Sequence, residues 1–294
     1  MSGARRFFAS LRMTYGRNEV QLRLMFPIEK YIAQFSGKDI SLSVHDLETG
    51  REINLRADES YHPASTVKVH LMMEVFRQAH TGQFSLDDSL TIFNSFPSIA
   101  DGSPYSLEAK DDSETSLYER IGETESIREL TRLMIVRSSN LATNILFQKI
   151  GARAINEFLA ELGIQDVAFV RGMYDLLALK RGMNNRGAAR GLTQTMRLIA
   201  EGKAASKQAS EEMIEIMLGQ EFNESIPGLL PKGTQVAHKT GWSDDFYHDT
   251  GIVFPVNRKP YAISIMTRGF AEDQADEAHD CMANISKLVY EQLI

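Results

Sequence analysis

Strand-like alternation occurs near both ends of the chain, and helical periodicity fills the stretch between them. Apolar and polar residues alternate over 40–44, and a turn at 46–50 leads to a second short run, which predicts a β-hairpin with one buried face. Further strand patterns come late in the chain, at 234–241, 251–256 and 261–267. We therefore predict an α/β (α+β) protein with an antiparallel sheet built from both termini, flanked by helices, and an inserted all-helical lobe.

No internal repeat or flexible linker divides the chain, so we expect a single catalytic domain at 26–294 after a weakly ordered tail at 1–25. An α/β lobe is predicted at 26–62 and 220–294, and a helical lobe at 63–219. The tail is rich in arginine and lacks the continuous apolar region of a secretory signal. As written, the sequence predicts a cytoplasmic protein without a membrane span, with the start site and compartment left open.

The composition argues against several classes of function. The net charge of −7, with no lysine- or arginine-rich run to offset it, argues against a nucleic-acid partner. Cys281 is the single cysteine, so neither an intrachain disulfide nor a thiolate cluster can form. The seven histidines show no spacing typical of metal ligands. We therefore expect neither a metal nor another cofactor.

A serine and a lysine three residues apart, Ser65 and Lys68, open the first strong helical pattern. Apolar residues recur at three- and four-residue spacing from Val67 to Ala79, which predicts a helix buried on one side. Both side chains then lie on one face of its first turn. A lysine whose pKa is lowered can take the serine proton and create a nucleophile. The alternative is that Ser65 only caps the helix and Lys68 is a solvated surface charge.

Two further polar motifs stand in contexts that suit the same chemistry. Ser138-Ser139-Asn140 interrupts two helical patterns, and Lys239-Thr240-Gly241 lies in the strand pattern at 234–241. Taken singly, the first motif could be no more than a helix cap, and the second could be no more than an exposed strand end. A long irregular stretch at 95–116, which contains Tyr105, is typical of a functional or mobile loop.

In this order, the three motifs resemble those of the active-site-serine penicillin-recognising enzymes, most closely class A β-lactamases and class A-like serine hydrolases. The resemblance runs from about Ile40 to the C-terminus and implies a β-lactamase/DD-peptidase-like fold. It implies that Ser65 attacks a carbonyl carbon while Lys68 takes its proton. Ser138 would relay a proton to the leaving nitrogen, and Asn140 would hold Lys68 and the substrate amide.

The same resemblance implies a substrate-binding strand. Lys239 and Thr240, followed by Gly241, would bind the substrate carboxylate. The backbone N–H groups of Ser65 and Trp242 would form an oxyanion hole. It also suggests that Tyr105 borders the pocket.

One element of class A β-lactamases is missing from the loop at 164–191. Those enzymes carry a Glu-x-x-Leu-Asn motif there, whose glutamate activates the water that releases the acyl group. Asp175 is the only carboxylate between residues 167 and 200, so it is the candidate base. The alternative, which we favour, is an ion pair of Asp175 with Arg171 or Arg190 that pins the loop.

His248 is a further candidate because it lies close in sequence to the Lys239 strand. We expect it either to shape the rim of the pocket or to make a hydrogen bond in the core.

The expected function is hydrolysis, through an acyl-enzyme at Ser65, of a β-lactam or a related cyclic or peptide amide. The alternatives are a D-Ala-D-Ala carboxypeptidase or small-ester hydrolase of the same fold, and a penicillin-binding sensor domain that is acylated once. The expected partner is a small-molecule substrate, and the expected state is a monomer. The missing glutamate leaves the efficiency of deacylation open.

Overall fold

A computed structural model of the protein describes residues 19–294. The main strands in that range are β1 (Asp39–Asp46), β2 (Glu52–Leu55), β3 (Gln235–Ser243), β4 (Phe246–Phe254) and β5 (Tyr261–Arg268). They form one antiparallel sheet in the order β2-β1-β5-β4-β3. Because β1 pairs with β5 along its whole length, the two ends of the chain meet in the middle of the sheet. This confirms the predicted sheet.

Helices make up much of the remaining described chain. The α-helices are α1 (Glu19–Ile32), α2 (Lys68–His80), α3 (Ile127–Val136), α4 (Asn140–Ile150), α5 (Ala152–Glu161), α6 (Leu176–Lys180), α7 (Ala189–Ala200), α8 (Lys207–Leu218) and α9 (Ala275–Leu293). Apolar side chains of α1 and α9 form a cluster with one face of the sheet. Helix α7 covers the other face, against β1 and β5. Helices α2, α3, α4, α5, α7 and α8 share a second apolar cluster.

Both faces of the hairpin strand β1 are buried, which corrects the prediction of a single buried face. Leu42 and Val44 join the apolar cluster with α1 and α9. Ser41 and Ser43 point to the opposite face, and they too are buried. Thr193 of α7 donates a hydrogen bond from Oγ1 to the Ser43 carbonyl at 3.0 Å. The alternation therefore separates an apolar buried face from a polar buried face.

Helix α2 is buried all round, whereas its sequence pattern predicted one buried side. Its polar residues His70 and Glu74 are both fully buried. The Nε2 atom of His70 lies 2.9 Å from Thr195 Oγ1, and Arg77 donates to both carboxylate oxygens of Glu74 at 2.6 Å. Neighbouring helices surround α2, so these internal partners replace water.

Several element boundaries differ from the sequence prediction. Strand β4 begins at Phe246, five residues before the predicted start at Gly251, because its polar first half is paired with β3 and β5. The loop predicted at 164–191 contains α6 and a short antiparallel pair, Val167–Ala168 with Arg186–Gly187. These pairings depend on distant strands and loops, which local periodicity does not report.

The N-terminal prediction is tested only in part. Residues 1–18 of the predicted tail lie outside the described residues, and the predicted boundary after residue 25 falls inside α1. Among residues 19–294, no helix combines the length and the apolar character that a membrane crossing requires.

Candidate active site

Ser65 lies on a tight turn at the junction of the sheet and the helices. Residues Ala64–Val67 form a 3₁₀ turn, and α2 begins at Lys68. Ala64 has a φ of +46°, a costly conformation for a residue with a side chain. On the other side, a Cβ added to Gly241 of β3 would lie 2.7 Å from the Ser65 backbone nitrogen. Only a glycine at 241 lets the strand pass this close to the nucleophile's backbone.

Lys68 is fully buried, so the alternative that made it a solvated surface charge is wrong. Its Nζ donates to the Ser138 carbonyl at 2.6 Å and to Asn140 Oδ1 at 2.9 Å, and lies 3.3 Å from Ser138 Oγ. Burial lowers the pKa of Lys68 to about 7, against an opposing effect of nearby Asp112. Near neutral pH, a large fraction of this amine is therefore unprotonated and able to accept a proton.

Ser138 lies between two buried lysines in the break between α3 and α4. Its Oγ is 3.3 Å from Lys68 Nζ and 3.1 Å from Lys239 Nζ. Its φ of +57° is another strained conformation beside the site. The residue that caps α4 is its neighbour Ser139, whose Oγ accepts from the Ala142 amide. Helix capping is therefore the role of Ser139 and not of Ser138.

Lys239 and Thr240 are both buried on β3, so the exposed-strand-end alternative is wrong for them. Lys239 Nζ donates to the Thr240 carbonyl at 2.7 Å. Burial, together with repulsion from Lys68, lowers the pKa of Lys239 well below its usual range. The buried Oγ1 of Thr240 has no hydrogen-bond partner among the described residues. A hydroxyl left unpaired beside a buried amine is a feature that a bound ligand can satisfy.

Asp112 supports this centre and was missed by the sequence analysis. Its carboxylate accepts from the backbone amides of Asn140 at 3.0 Å and Leu141 at 2.9 Å, at the start of α4. Tyr118 Oη donates to it at 3.0 Å. Asp112 lies in the long irregular stretch at 95–116, where no spacing distinguishes it from the other carboxylates. Only the fold brings it to the start of α4.

A cavity of about 590 Å³ opens beside Ser65, Ser138 and Asn140. Trp242 lines it with an exposed ring, 41% accessible, directly after Gly241. A second part of the lining, here called the 171–185 wall, comes from the segment 171–185 and consists of Arg171, Met173, Tyr174, Leu176, Leu179, Asn184 and Asn185. The cavity therefore combines the polar residues around Ser65 with a wall of mixed polar and apolar side chains.

Asp175 does not line this cavity, and neither role predicted for it fits its position. It is buried and caps α6 by accepting from the Ala178 amide at 3.0 Å. It also accepts from Ser98 Oγ at 2.7 Å and from the Ile99 amide at 2.9 Å. These donors use its lone pairs, so the carboxylate neither faces the nucleophile nor forms the predicted ion pair.

The two arginines proposed as its partners bond elsewhere. Arg190 pairs with Asp58, with 2.5 Å between Nε and Oδ1. Arg171 donates from Nε to Asn184 Oδ1 at 3.0 Å. The loop is therefore pinned by the Asp175 cap and by amide side chains.

Tyr105 lines a smaller cavity of about 260 Å³ and not the one beside Ser65, which corrects its predicted place. Its hydroxyl lies 3.3 Å from Asn144 Nδ2, and its ring packs against Phe96. Asn144 in turn holds the Met173 backbone at both its amide and its carbonyl. Asn144 and the Met173 backbone therefore lie between Tyr105 and the cavity beside Ser65.

His248 makes core hydrogen bonds and is absent from the cavity wall, so the pocket-rim alternative is wrong. It is buried, with Nε2 at 2.8 Å from the His62 carbonyl and Nδ1 accepting from the Thr267 amide at 3.1 Å. Burial lowers its pKa to about 4. His248 therefore anchors the chain that leads into Ser65.

Known proteins with similar sequences include β-lactamases. Beta-lactamase BRO-1 of Moraxella catarrhalis is 28% identical over 173 residues, which are 56% of this chain and about half (55%) of that protein. Extended-spectrum beta-lactamase PER-1 of Pseudomonas aeruginosa is 24% identical over 79% of this chain and 75% of its own length. These relatives do not favour the carboxypeptidase, ester-hydrolase or sensor alternatives.

The fold has close counterparts among solved structures. A mutant of PBP-A, solved as an acyl-enzyme complex with penicillin G, has a TM-score of 0.79 at 23% identity, over 92% of this chain and 96% of that one. At this identity, the likeness shows the fold alone. A sequence profile of the Beta-lactamase enzyme family matches residues 23–293, almost the whole described chain. The chain therefore belongs to the β-lactamase enzyme family and is a serine hydrolase of that type.

Proposed function

We propose that Ser65 is acylated by β-lactams and that the acyl-enzyme is released slowly. The observation that carries the first half is the fully buried Lys68, whose Nζ contacts both Ser138 and Asn140. The second half rests on the 171–185 wall, which presents no carboxylate to the cavity. Both halves therefore follow from the residues that surround the nucleophile.

In the acylation step, Ser65 Oγ attacks the carbonyl carbon of the lactam and its proton passes to unprotonated Lys68. The carbonyl oxygen becomes an oxyanion, which the backbone N–H groups of Ser65 and Trp242 are proposed to stabilise. As the C–N bond breaks, the nitrogen receives a proton from Ser138 Oγ, which regains one from Lys68. The 3.3 Å between Lys68 Nζ and Ser138 Oγ suits that relay.

The substrate carboxylate is proposed to bind at Lys239 and Thr240, which are buried behind the lining residue Ser138 and do not themselves line the cavity. Lys239 Nζ already contacts Ser138 Oγ at 3.1 Å, so a carboxylate here lies next to the relay. An incoming anion also favours the charged form of Lys239, because it offsets the repulsion from Lys68. The unpartnered Oγ1 of Thr240 can donate to the same group.

Release of the acyl group needs an activated water. The carboxylates that line the cavity in the described chain are Asp111 and Asp244, and both are exposed. Met173 lines the cavity two residues after Arg171, and it has no proton-accepting group. We therefore expect acylation to be faster than hydrolysis.

Intact-mass spectrometry of the full chain with benzylpenicillin tests this proposal. The expected result is one covalent adduct per chain that forms quickly and decays slowly, and is absent in Ser65→Ala. Ser103→Ala is the matched control, since this serine is exposed and absent from the cavity wall. An adduct that survives Ser65→Ala, or no adduct on the unmodified chain, would contradict acylation at Ser65.

A further inference from the structure

Arg171 is a buried cation in the wall of the cavity that contains Ser65. Only 6% of its surface is accessible. Its Nε donates to Asn184 Oδ1 at 3.0 Å, and its Nη1 donates to the Gly172 carbonyl at 3.2 Å. Both acceptors are neutral. A guanidinium has five N–H donors, so most of its donor capacity is left for something else.

Two neighbouring arginines, Arg181 and Arg190, have carboxylate partners, and Arg186, which has no ion pair in the described chain, is exposed to water. Arg181 pairs with Asp101 at 2.9 Å and Arg190 pairs with Asp58 at 2.5 Å. In the described part of the chain, no ion pair includes Arg171. Asp175 lies near enough to favour its charge, but that carboxylate is already bonded to Ser98 and to backbone amides.

An unpaired buried charge is costly, and arginine does not escape the cost by losing its proton. Burial lowers the pKa of Arg171. Burial, and to a smaller extent the charge of Arg171, lowers the pKa of His62, which lines the same cavity. This cation therefore acts on the interior of the cavity. A guanidinium in such a place favours a carboxylate, which it can bind with two parallel hydrogen bonds.

We propose that Arg171 binds a second acidic group of the substrate, carried on the acyl side chain, at a site separate from Lys239 and Thr240. The proposal rests on the function proposed above. The preferred substrate class is then a β-lactam with two carboxylates, one on the ring system and one on the side chain. Leu176 and Leu179, both largely exposed on the same wall, offer apolar contact to the rest of that side chain.

The test compares two penicillins that differ in one group. Carbenicillin is benzylpenicillin with an added carboxylate on the side chain. The measured quantity is the second-order rate constant for acylation of the full chain by each compound, followed by intact mass. Their ratio, carbenicillin over benzylpenicillin, isolates the added carboxylate, because a general change in folding or in the reactivity of Ser65 affects both rates.

In Arg171→Gln, we expect the ratio to fall at least about tenfold, because the variant loses a hydrogen bond between charged groups. Asn184→Asp is a second test, and it keeps the arginine. It replaces the side-chain amide that Arg171 already contacts with a carboxylate. It should lower the ratio as well. Arg181→Gln is the matched control, since this arginine lies on the same segment but does not line the cavity.

A ratio that falls in Arg171→Gln and Asn184→Asp, and stays constant in Arg181→Gln, supports the proposal. A ratio that is unchanged or increased in either cavity variant overturns it. Should Arg171→Gln fail to fold, Asn184→Asp decides alone. If neither penicillin acylates the unmodified chain at Ser65, the proposed function fails, and this inference fails with it. Normal acylation with a constant ratio rejects only the role of Arg171.

Discussion

The buried lysines Lys68 and Lys239 with Ser138 between them, here called the catalytic floor, lie behind the cavity lining, and they hold charge differently from the 171–185 wall. The catalytic floor has two buried lysines, Lys68 and Lys239, joined through Ser138 by contacts of 3.3 and 3.1 Å. The 171–185 wall has a single buried cation, Arg171, bonded to neutral acceptors. Met173, which lines the cavity from this wall, has no proton-accepting group.

The difference separates two half-reactions that a hydrolase must combine. Acylation needs a base and a proton relay, and the catalytic floor holds both groups in contact. Deacylation also needs a water activated by a proton acceptor, and the 171–185 wall contributes none in the described structure. This chain therefore has the groups for the first step, while its 171–185 wall contributes no carboxylate to the second.

The largest effect is expected from removing the base of the catalytic floor. Lys68→Met should lower the acylation rate by about 10²- to 10⁴-fold, because Ser65 then has no proton acceptor in contact with the relay. Stopped-flow acylation by a chromogenic cephalosporin measures this. Lys203→Met, at an exposed lysine, serves as the control. A loss of less than about tenfold would mean that another group takes the proton.

The next largest effect is expected from adding a carboxylate to the 171–185 wall. Met173→Glu should raise the deacylation rate by about 10²-fold, because it supplies a general base whose backbone Asn144 already holds. Decay of the penicillin adduct, followed by intact mass, measures it. Met173→Gln has a similar shape without the charge and should not accelerate release. Equal rates in the two variants would show that the wall does not limit deacylation.

The pH dependence of acylation tests the protonation state of Lys68 in the catalytic floor. With its pKa lowered to about 7, Lys68 is protonated and inactive as a base below that pH, and unprotonated above it. The acylation rate should therefore rise about tenfold per pH unit below 7 and level off above it. Single-turnover rates from pH 5 to 9 test this. A profile that still rises steeply between pH 8 and 9 would place the lysine near its ordinary pKa.

The smallest effect on chemistry is expected at Asp175. Asp175→Asn should lower the free energy of unfolding by about 1 kcal/mol, since one of its buried hydrogen bonds is lost. The deacylation rate should stay nearly constant, because this side chain does not line the cavity. Urea unfolding and adduct decay, measured on the same preparation, check the two outcomes. A large fall in deacylation with unchanged stability would restore Asp175 as the base.

Much of the fold and the chemistry could be predicted from the sequence. The strands at both ends, the helical insertion and the three motifs around Ser65, Ser138 and Lys239 follow from local periodicity and residue order. These features depend on neighbours within a few residues, and amphipathic spacing reports such neighbours directly. The family match over residues 23–293 agrees with that interpretation.

Other features were decided only by tertiary contacts. Asp175 was expected to reach the active site or an arginine, but it caps α6 and holds Ser98. Asp112, which no motif distinguished, supports the start of α4. Carboxylate partners come from segments distant along the chain, so residue type alone could not assign them.

The sequence by itself determined that a serine and a lysine share one turn at the start of a helix, because their spacing of three is a local property. Whether that lysine acts as a base was decided by the tertiary structure. Its pKa depends on burial among α2, α4 and β3, and on the absence of a carboxylate in contact with it within the described chain. The same holds for Arg171, whose unpaired charge is visible only once the cavity around it is formed.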